Sequence, residues 1–395
     1  MMFLFLWHII TSILSFILLR ELSGSFKPLY RKSTLILNLL LTITVTLFFI
    51  FTALHASEPD TPEGITAQMN LNLVIAAIVF PRTLVILMHY AGKLFRLRKG
   101  GYARHLSVAG LMLYMLILII MMYGHFIGRF RFTVEEVAIT VPELHEDLEG
   151  LRIVHISDLH LGSFHNNYRK LLRMTLMINN LRPDLIVDTG DLITLGHREF
   201  GNTDTILAEM VATHGKYAVL GNHDIGTYLP DPDSHDIEET IREVSERVRR
   251  SGYRLLENST EIVNIGNATL ALTGAETRGR HPVIVHPDIT TAVKGSENAD
   301  LRILLTHDPN HWEVIIREYK DIEITVAGHT HGMQFGIRAF GFRWSPSVYS
   351  YPRWNGLYKE GGMYLYVNRG AGVLGIPVRI GMPPEITMIT LRKEE

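Results

Sequence analysis

Nine residues able to bind a cation or move a proton fall into five short blocks: Asp158 and His160, Asp191, Asn222 with His223 and Asp224, His307, and His329 with His331. A lone Asp-x-His or Gly-Asp pair is common at turns and helix caps. Five such blocks in this order have no origin in ordinary core packing. Carboxylate, imidazole and amide oxygen are ligands for Mn, Fe, Zn or Mg, and the set is large enough for two ions. In two-metal sites the ions stand roughly 3.5–4 Å apart, clamp phosphoryl oxygens and bring the pKa of a water towards about 7, so that hydroxide attacks in line. Such a site hydrolyses a phosphoester without a covalent protein nucleophile. The chain has no cysteine, so any metal is held by nitrogen and oxygen and no disulfide forms.

Each block follows a short apolar run. Ile153 to Ile156 precedes Asp158, Leu185 to Val187 precedes Asp191, Tyr217 to Leu220 precedes Asn222, Ile303 to Leu305 precedes His307, and Ile322 to Ala327 leads into His329. Buried strands read this way, and α/β proteins collect ligands at the carboxyl ends of their strands. Helical patterns at about 167–181, 204–213 and 236–251 alternate with these strands, which predicts an α/β domain. Residues 132–141, 254–256, 261–265, 268–273, 362–367 and 385–391 read as further strands, more than one parallel sheet will hold. Two packed sheets flanked by helices is the expected architecture.

Residues 1 to about 126 differ sharply in composition. Four apolar stretches, 3–19, 34–54, 71–90 and 106–126, are each near the ~20 residues that cross a bilayer as helix. The expected division is a transmembrane region at 1–128 and a catalytic domain at 129–395. Residues 1–7 offer no basic segment typical of a cleaved signal, so the first stretch is read as a retained helix. Arg20, Lys27, Arg31 and Lys32 follow the first stretch, and Lys93, Arg96, Arg98, Lys99 and Arg104 the third; the loop between the second and third carries Glu58, Asp60 and Glu63 and no basic residue. The positive-inside rule then places the domain outside a cytoplasmic membrane. His8, His55, His89, His105 and His125 fall in this region, mostly near span ends, and the stretches read as too uniformly apolar to form a polar pathway. The net charge of −2 comes without a basic stripe, so no nucleic-acid partner is expected.

The ordered blocks resemble the calcineurin-like metallophosphoesterase superfamily, and Ile156-Ser-Asp-Leu-His-Leu-Gly162 is similar to its membrane-anchored bacterial branch. Val367-Asn-Arg-Gly-Ala-Gly372, Pro377-Val-Arg379 and Pro383-Pro-Glu-Ile386 resemble that branch too. The resemblance implies one metal on Asp158, His160 and His331, a second on Asn222, His307 and His329, and Asp191 bridging both. It implies Mn foremost, with Zn, Fe or Mg as alternatives. His223 would face the substrate and protonate the leaving oxygen, and Asp224 would orient that imidazole or cap a turn. The Asp-Arg pair of the protein-phosphatase branch is missing after Asp191, and Met333 stands where relatives often carry glycine.

Two further segments are candidates for setting the substrate. Phe340 to Trp354 is rich in aromatics and arginine and reads as a cap, an interfacial belt or a β-hairpin, with Arg338, Arg343 and Arg353 available to a phosphate. Thr277 to Asn298 brings His281 and His286, which are not expected to bind metal. The leading expectation is a membrane-anchored phosphohydrolase acting on a phosphorylated small-molecule or lipid-linked envelope substrate. A cytoplasm-facing enzyme resembling the UDP-2,3-diacylglucosamine pyrophosphatases is a second reading, and a catalytically silent membrane sensor or scaffold a third.

Overall fold

The computed structural model describes residues 1–25, 27–99, 103–276, 278–280, 283–285, 289–339 and 341–394. The chain divides into two compact units, one of residues 1–58, 66–127 and 375–378, the other of 59–65, 128–374 and 379–395. A single cut at 128 therefore misses two short segments. Arg198 Nε lies 3.1 Å from both carboxylate oxygens of Asp60, tying 59–65 to the second unit. His125 Nδ1 reaches Pro377 O at 2.9 Å within the first.

Among the described residues four helices are long and apolar enough to cross a membrane, Met2–Leu22, Pro28–Leu54, Pro62–Leu94 and His105–Phe130, and all but 62–65 and 128–130 of them belong to the first unit. The third carries a π-helical turn at Ile75–Val79, immediately before Phe80-Pro81-Arg82. Apolar side chains such as Ile10, Ile13, Leu40, Leu47, Met112 and Ile119 point outward, as expected of helices whose surroundings are as apolar as their contacts. The interior corrects the expectation of uniform apolarity, because His8, Ser12, Ser15, Asn38, Arg82 and His89 are buried. His8 Nε2 lies 3.2 Å from Thr46 Oγ1, and His89 Nδ1 lies 2.9 Å from Ser107 Oγ. These two histidines are interior residues and not interfacial ones.

The second unit holds two six-stranded sheets. In the first sheet Thr133–Val141, Glu385–Lys393, Arg152–Ile156, Leu185–Asp188, Lys216–Ala218 and Tyr253–Leu255 lie side by side; in the second, Gly356–Glu360, Met363–Val367, Ile324–Ala327, Leu301–Thr306, Ala268–Ala275 and Ser259–Ile265 do. Alternation along each strand sorts the core into layers. Ile153, Leu185, Val187, Tyr217, Ile303, Leu305, Ile324 and Val326 pack together between the sheets. Val154, Ile156, Ile186 and Ala218 point the other way, onto Leu171, Met174, Ile178, Val244 and Val248 of the helices Tyr168–Asn180 and Ser234–Arg250. On the opposite outer face Leu304, Leu365 and Val367 pack on Trp312 and Ile315. Burial on both faces explains why the ligand strands are continuously apolar in sequence.

The expected helix at about 204–213 spans only Thr203–Ala208. Lys216 ends it: its ammonium donates to Leu207 O at 3.1 Å and to Ala208 O at 3.4 Å, serving carbonyls that a longer helix would have bonded itself, and also to Ser251 O at 2.6 Å at the end of Ser234–Arg250. Thr277, Phe340, His281 and His286 lie outside the described residues.

Candidate metal centre

Strands Arg152–Ile156, Leu185–Asp188 and Lys216–Ala218 run parallel to one another, as do Leu301–Thr306 and Ile324–Ala327. All five blocks follow the carboxyl ends of these strands. The turns that carry them are tight. Asp158 (φ 52°), His160 (φ 41°), Asp191 (φ 58°), His329 (φ 72°) and His331 (φ 50°) all adopt the left-handed region, which is uncommon for non-glycine residues and clusters at functional sites. Two glycines permit the close approach. A Cβ at Gly190 (φ 93°) would overlap the Gly221 backbone, and one at Gly328 would overlap Ser157 Oγ and the Asp158 carboxylate.

The side chains converge as two groups. Asp158, His160 and His331 offer ligand atoms within 4.8 Å of one another, and so do Asp191, His307 and His329. His160 Nε2 lies 3.1 Å from His331 Nε2, and His331 Nε2 lies 3.2 Å from Asp158 Oδ1. His307 Nε2 is 3.0 Å from Asp191 Oδ2 and 4.0 Å from Asp158 Oδ1, so the groups adjoin. Asn222, expected beside His307 and His329, is fully buried next to Asp191 in the lining of one cavity.

The donor set fits divalent cations. His307 Nδ1 bonds Thr189 O at 2.7 Å and His160 Nδ1 bonds Ile193 O at 3.0 Å, so each ring holds an Nδ1–H on a carbonyl and turns Nε2 inward, the atom that would ligate once a cation displaces any proton on it. Asn222 Oδ1 and His307 Nε2 are buried and have no aligned hydrogen-bond partner among the described residues. Burial opposes ionisation of Asp158 and Asp191, yet the rings of His331 and His307 outweigh it and hold both carboxyls below their ordinary range. Burial likewise disfavours charge on His307, but Asp191 and Asp158 prevail and raise its pKa to about 10. Burial lowers His329 to about 4 and pushes His160 down as well. A pair of carboxylates with inward lone pairs is a place that favours positive charge.

His223 sits at the edge of the group. Its backbone N–H donates to Asp191 Oδ1 at 2.9 Å, and its ring Nδ1 bonds Thr194 O at 2.6 Å, leaving Nε2 for the cavity. Its ring stacks on Tyr228 at 3.9 Å between centroids and 12° between planes. Asp224 does not touch that ring. Its carboxylate accepts from the backbone N–H groups of Asp191 (2.7 Å), Leu192 (2.8 Å), Ile193 (3.1 Å) and Gly221 (2.8 Å). The expectation that Asp224 orients the imidazole is thus corrected: Thr194 carbonyl does so, and Asp224 holds the turn carrying Asp191.

A cavity of ≈ 440 Å³ is lined by Asp191, Asn222, His223, Tyr228, His329, His331, Met333 and Tyr351 among others. Tyr351 OH lies 2.8 Å from His329 Nε2, and Asn222 Nδ2 donates to Tyr228 OH at 3.0 Å. Sequence reasoning assigned neither tyrosine to the site. Tyr351 belongs to the aromatic segment already singled out, whereas Tyr228 follows the Asn222 block by six residues and carries no motif. Glu199 was missed as well; fully buried, it accepts from Gly162 N (2.9 Å) and Thr194 N (2.6 Å) and braces the loop that meets His160 and His223.

In the aromatic segment Ile337–Ala339 pairs antiparallel with Phe342–Trp344, the hairpin reading. Two of its three arginines are engaged elsewhere: Arg338 Nη1 lies 2.9 Å from Glu135, and Arg353 pairs with Glu313 and Glu360 above the Trp312 ring. Neither lines the cavity. Arg379 comes closer to the site, its guanidinium fully buried with Nη2 3.4 Å from His331 Nδ1.

Residues 151–333 match the family described as calcineurin-like phosphoesterase. A Danio rerio protein named transmembrane protein with metallophosphoesterase domain is 31% identical over 269 residues, covering 66% of this chain and 57% of that one. A Bacillus subtilis protein named as a metallophosphoesterase is 29% identical over 255 residues, covering 62% of this chain and 80% of its own. One from Campylobacter jejuni is 28% identical over 262 residues, 66% of this chain and 63% of that protein. The chain thus spans little more than half of the zebrafish relative, and its relatives are animal as well as bacterial. The strand-end ligand blocks all fall within residues 151–333, the part of the chain that is similar to the calcineurin-like phosphoesterase family.

Proposed function

We propose that this protein is a membrane-anchored, metal-dependent phosphohydrolase acting on a phosphorylated or lipid-linked substrate at a cell envelope. The observation that carries the reading is the pair of adjoining ligand groups at the rim of an open cavity, with His223 beside them and outside both. Asp158, His160 and His331 would hold one divalent ion, and Asn222, His307 and His329 the other, with Asp191 available to both and Mn the metal of first choice. Bound there, the ions supply charge to neutralise phosphoryl oxygens and an activated water at neutral pH.

The chain's own groups do the rest. His223, whose Nδ1–H is held by Thr194 O, presents Nε2 to the leaving-group oxygen and, in its imidazolium form, gives that oxygen the Nε2 proton and returns to neutral imidazole. Tyr228 keeps that ring in plane by stacking. Met333, Tyr351 and Leu374 give the cavity an apolar margin beside the polar floor, which suits a phosphoester with an organic leaving group. The basic loops after the first and third helices favour an extracytoplasmic domain, and the resemblance of Ile156 to Gly162 favours the membrane-anchored bacterial type.

The test uses the purified full chain with Mn, Zn or Mg, offered an aryl phosphate monoester, a diester and pyrophosphate. Hydrolysis of at least one is expected, falling roughly 10²–10⁴-fold in His223→Ala. Lipid extracts of cells carrying His223→Ala should accumulate a phosphorylated lipid by mass spectrometry. No turnover with any metal would leave the domain a scaffold; accumulation of a UDP-sugar lipid would favour a cytoplasm-facing enzyme.

A further inference from the structure

The four membrane-length helices enclose a charge that phosphoester chemistry does not use. Arg82 is 5% exposed. Its Nη1 donates to Ser12 Oγ at 2.6 Å, and its Nη2 is buried without a hydrogen-bond partner among the described residues. Glu21, the carboxylate in this unit's ion pairs among the described residues, serves His89 and Lys93. An intramembrane guanidinium with no counter-charge is costly, and such residues mark binding sites more often than packing.

Arg82 lines a cavity of ≈ 250 Å³ whose apolar walls include Leu18, Leu37, Leu41 and Leu111, with Tyr114 beside them. Ser15 Oγ, also in the wall, donates to Asn38 Oδ1 at 2.8 Å, so the Arg82 guanidinium, the Tyr114 hydroxyl and the Asn38 amide N–H groups are the donors left to a ligand. Thr34 and Leu37 also border a wider cavity of ≈ 550 Å³ that reaches Lys27. The inner end is therefore cationic and narrow, and the way out is apolar.

We infer that this cavity binds a fatty acid, with its carboxylate on Arg82 Nη2 and its acyl chain running out along Leu37 and Leu41. One guanidinium balances one negative charge, which a carboxylate carries and a phosphomonoester near neutral pH exceeds. The inner cavity is smaller than the ~300–1,000 Å³ that encloses a whole ligand, so it takes the head and first methylenes of a single chain. The π-helical turn at Ile75–Val79 lies just before Arg82, a feature that recurs at functional sites in helices.

The experiment is binding of radiolabelled palmitate to the full chain in phosphatidylcholine nanodiscs, with palmitate methyl ester and phosphatidic acid as competitors. Saturable binding of palmitate is expected, with the ester weaker by roughly tenfold or more. Arg82→Met should abolish binding, while Arg82→Lys, which keeps the charge, should retain part of it. Leu37→Trp keeps Arg82 and fills the cavity, so it should also abolish binding and decides the matter if Arg82→Met fails to fold. Aryl phosphate hydrolysis should be unchanged in Leu37→Trp, which separates this site from the metal centre. Equal competition by the ester, stronger displacement by phosphatidic acid, or undiminished binding in Leu37→Trp would overturn the inference.

Discussion

Asp224 sits one residue beyond His223, yet its work is on the backbone of another strand's turn. Four N–H groups converge on its carboxylate, three of them from Asp191 to Ile193. Removing the acceptor leaves buried donors unpaired, each costing about 1–3 kcal/mol. Asp224→Ala is therefore expected to lower stability by about 3 kcal/mol or more and to cut aryl phosphate turnover, because Asp191 loses its fixed position. A thermal melt within error of the parent would contradict this role. The ligand blocks themselves were legible in sequence, since imidazole and carboxylate chemistry is written in residue types. Asp224's partners were not legible, because backbone donors carry no residue signature, and Tyr228 reaches the site from a segment whose spacing announces nothing, whereas Tyr351 lies in the aromatic segment that stood out in sequence.

Strands explain why the site forms where it does. Inward and outward side chains alternate through Ile153 and Val154, Leu185 and Ile186, and Ile303 and Leu304, so each strand is held from both faces and its last residues enter the turn in a fixed register. That much follows from apolar runs of three to six residues. The helix after Asn202 was overextended in sequence because Lys216, thirteen residues beyond its start at Thr203, terminates it through space. Burial lowers the Lys216 pKa from 10.5 to about 8. The folded state consequently binds fewer protons than the unfolded one between about pH 8 and 10.5, so this group's contribution to stability rises with pH across that window. The melting temperature of the parent relative to Lys216→Met should climb from pH 8 to pH 10; a flat or falling difference would contradict the assignment.

Over the whole molecule, a net charge of −2 conceals a membrane-type unit and a polar, metal-ready domain. Composition reveals the four apolar helices directly, but not the interior layer of His8, Ser12, Asn38 and Arg82, because single polar residues in long apolar runs reveal a shared face only once the helices pack. Orientation is a prediction at this scale: a periplasm-active alkaline phosphatase fused to the C-terminus should be active in a Gram-negative host, and activity only of a cytoplasmic reporter would reverse the topology. The central claim is a pair of metals shared through Asp191. Metal content by mass spectrometry of the purified full chain, reconstituted with Mn and desalted, measures it most directly. Two ions per chain are expected in the parent, with loss of at least one and of phosphoester hydrolysis together in Asp191→Ala. A parent that retains no metal, or an Asp191→Ala chain that keeps both ions and full turnover, would contradict the account.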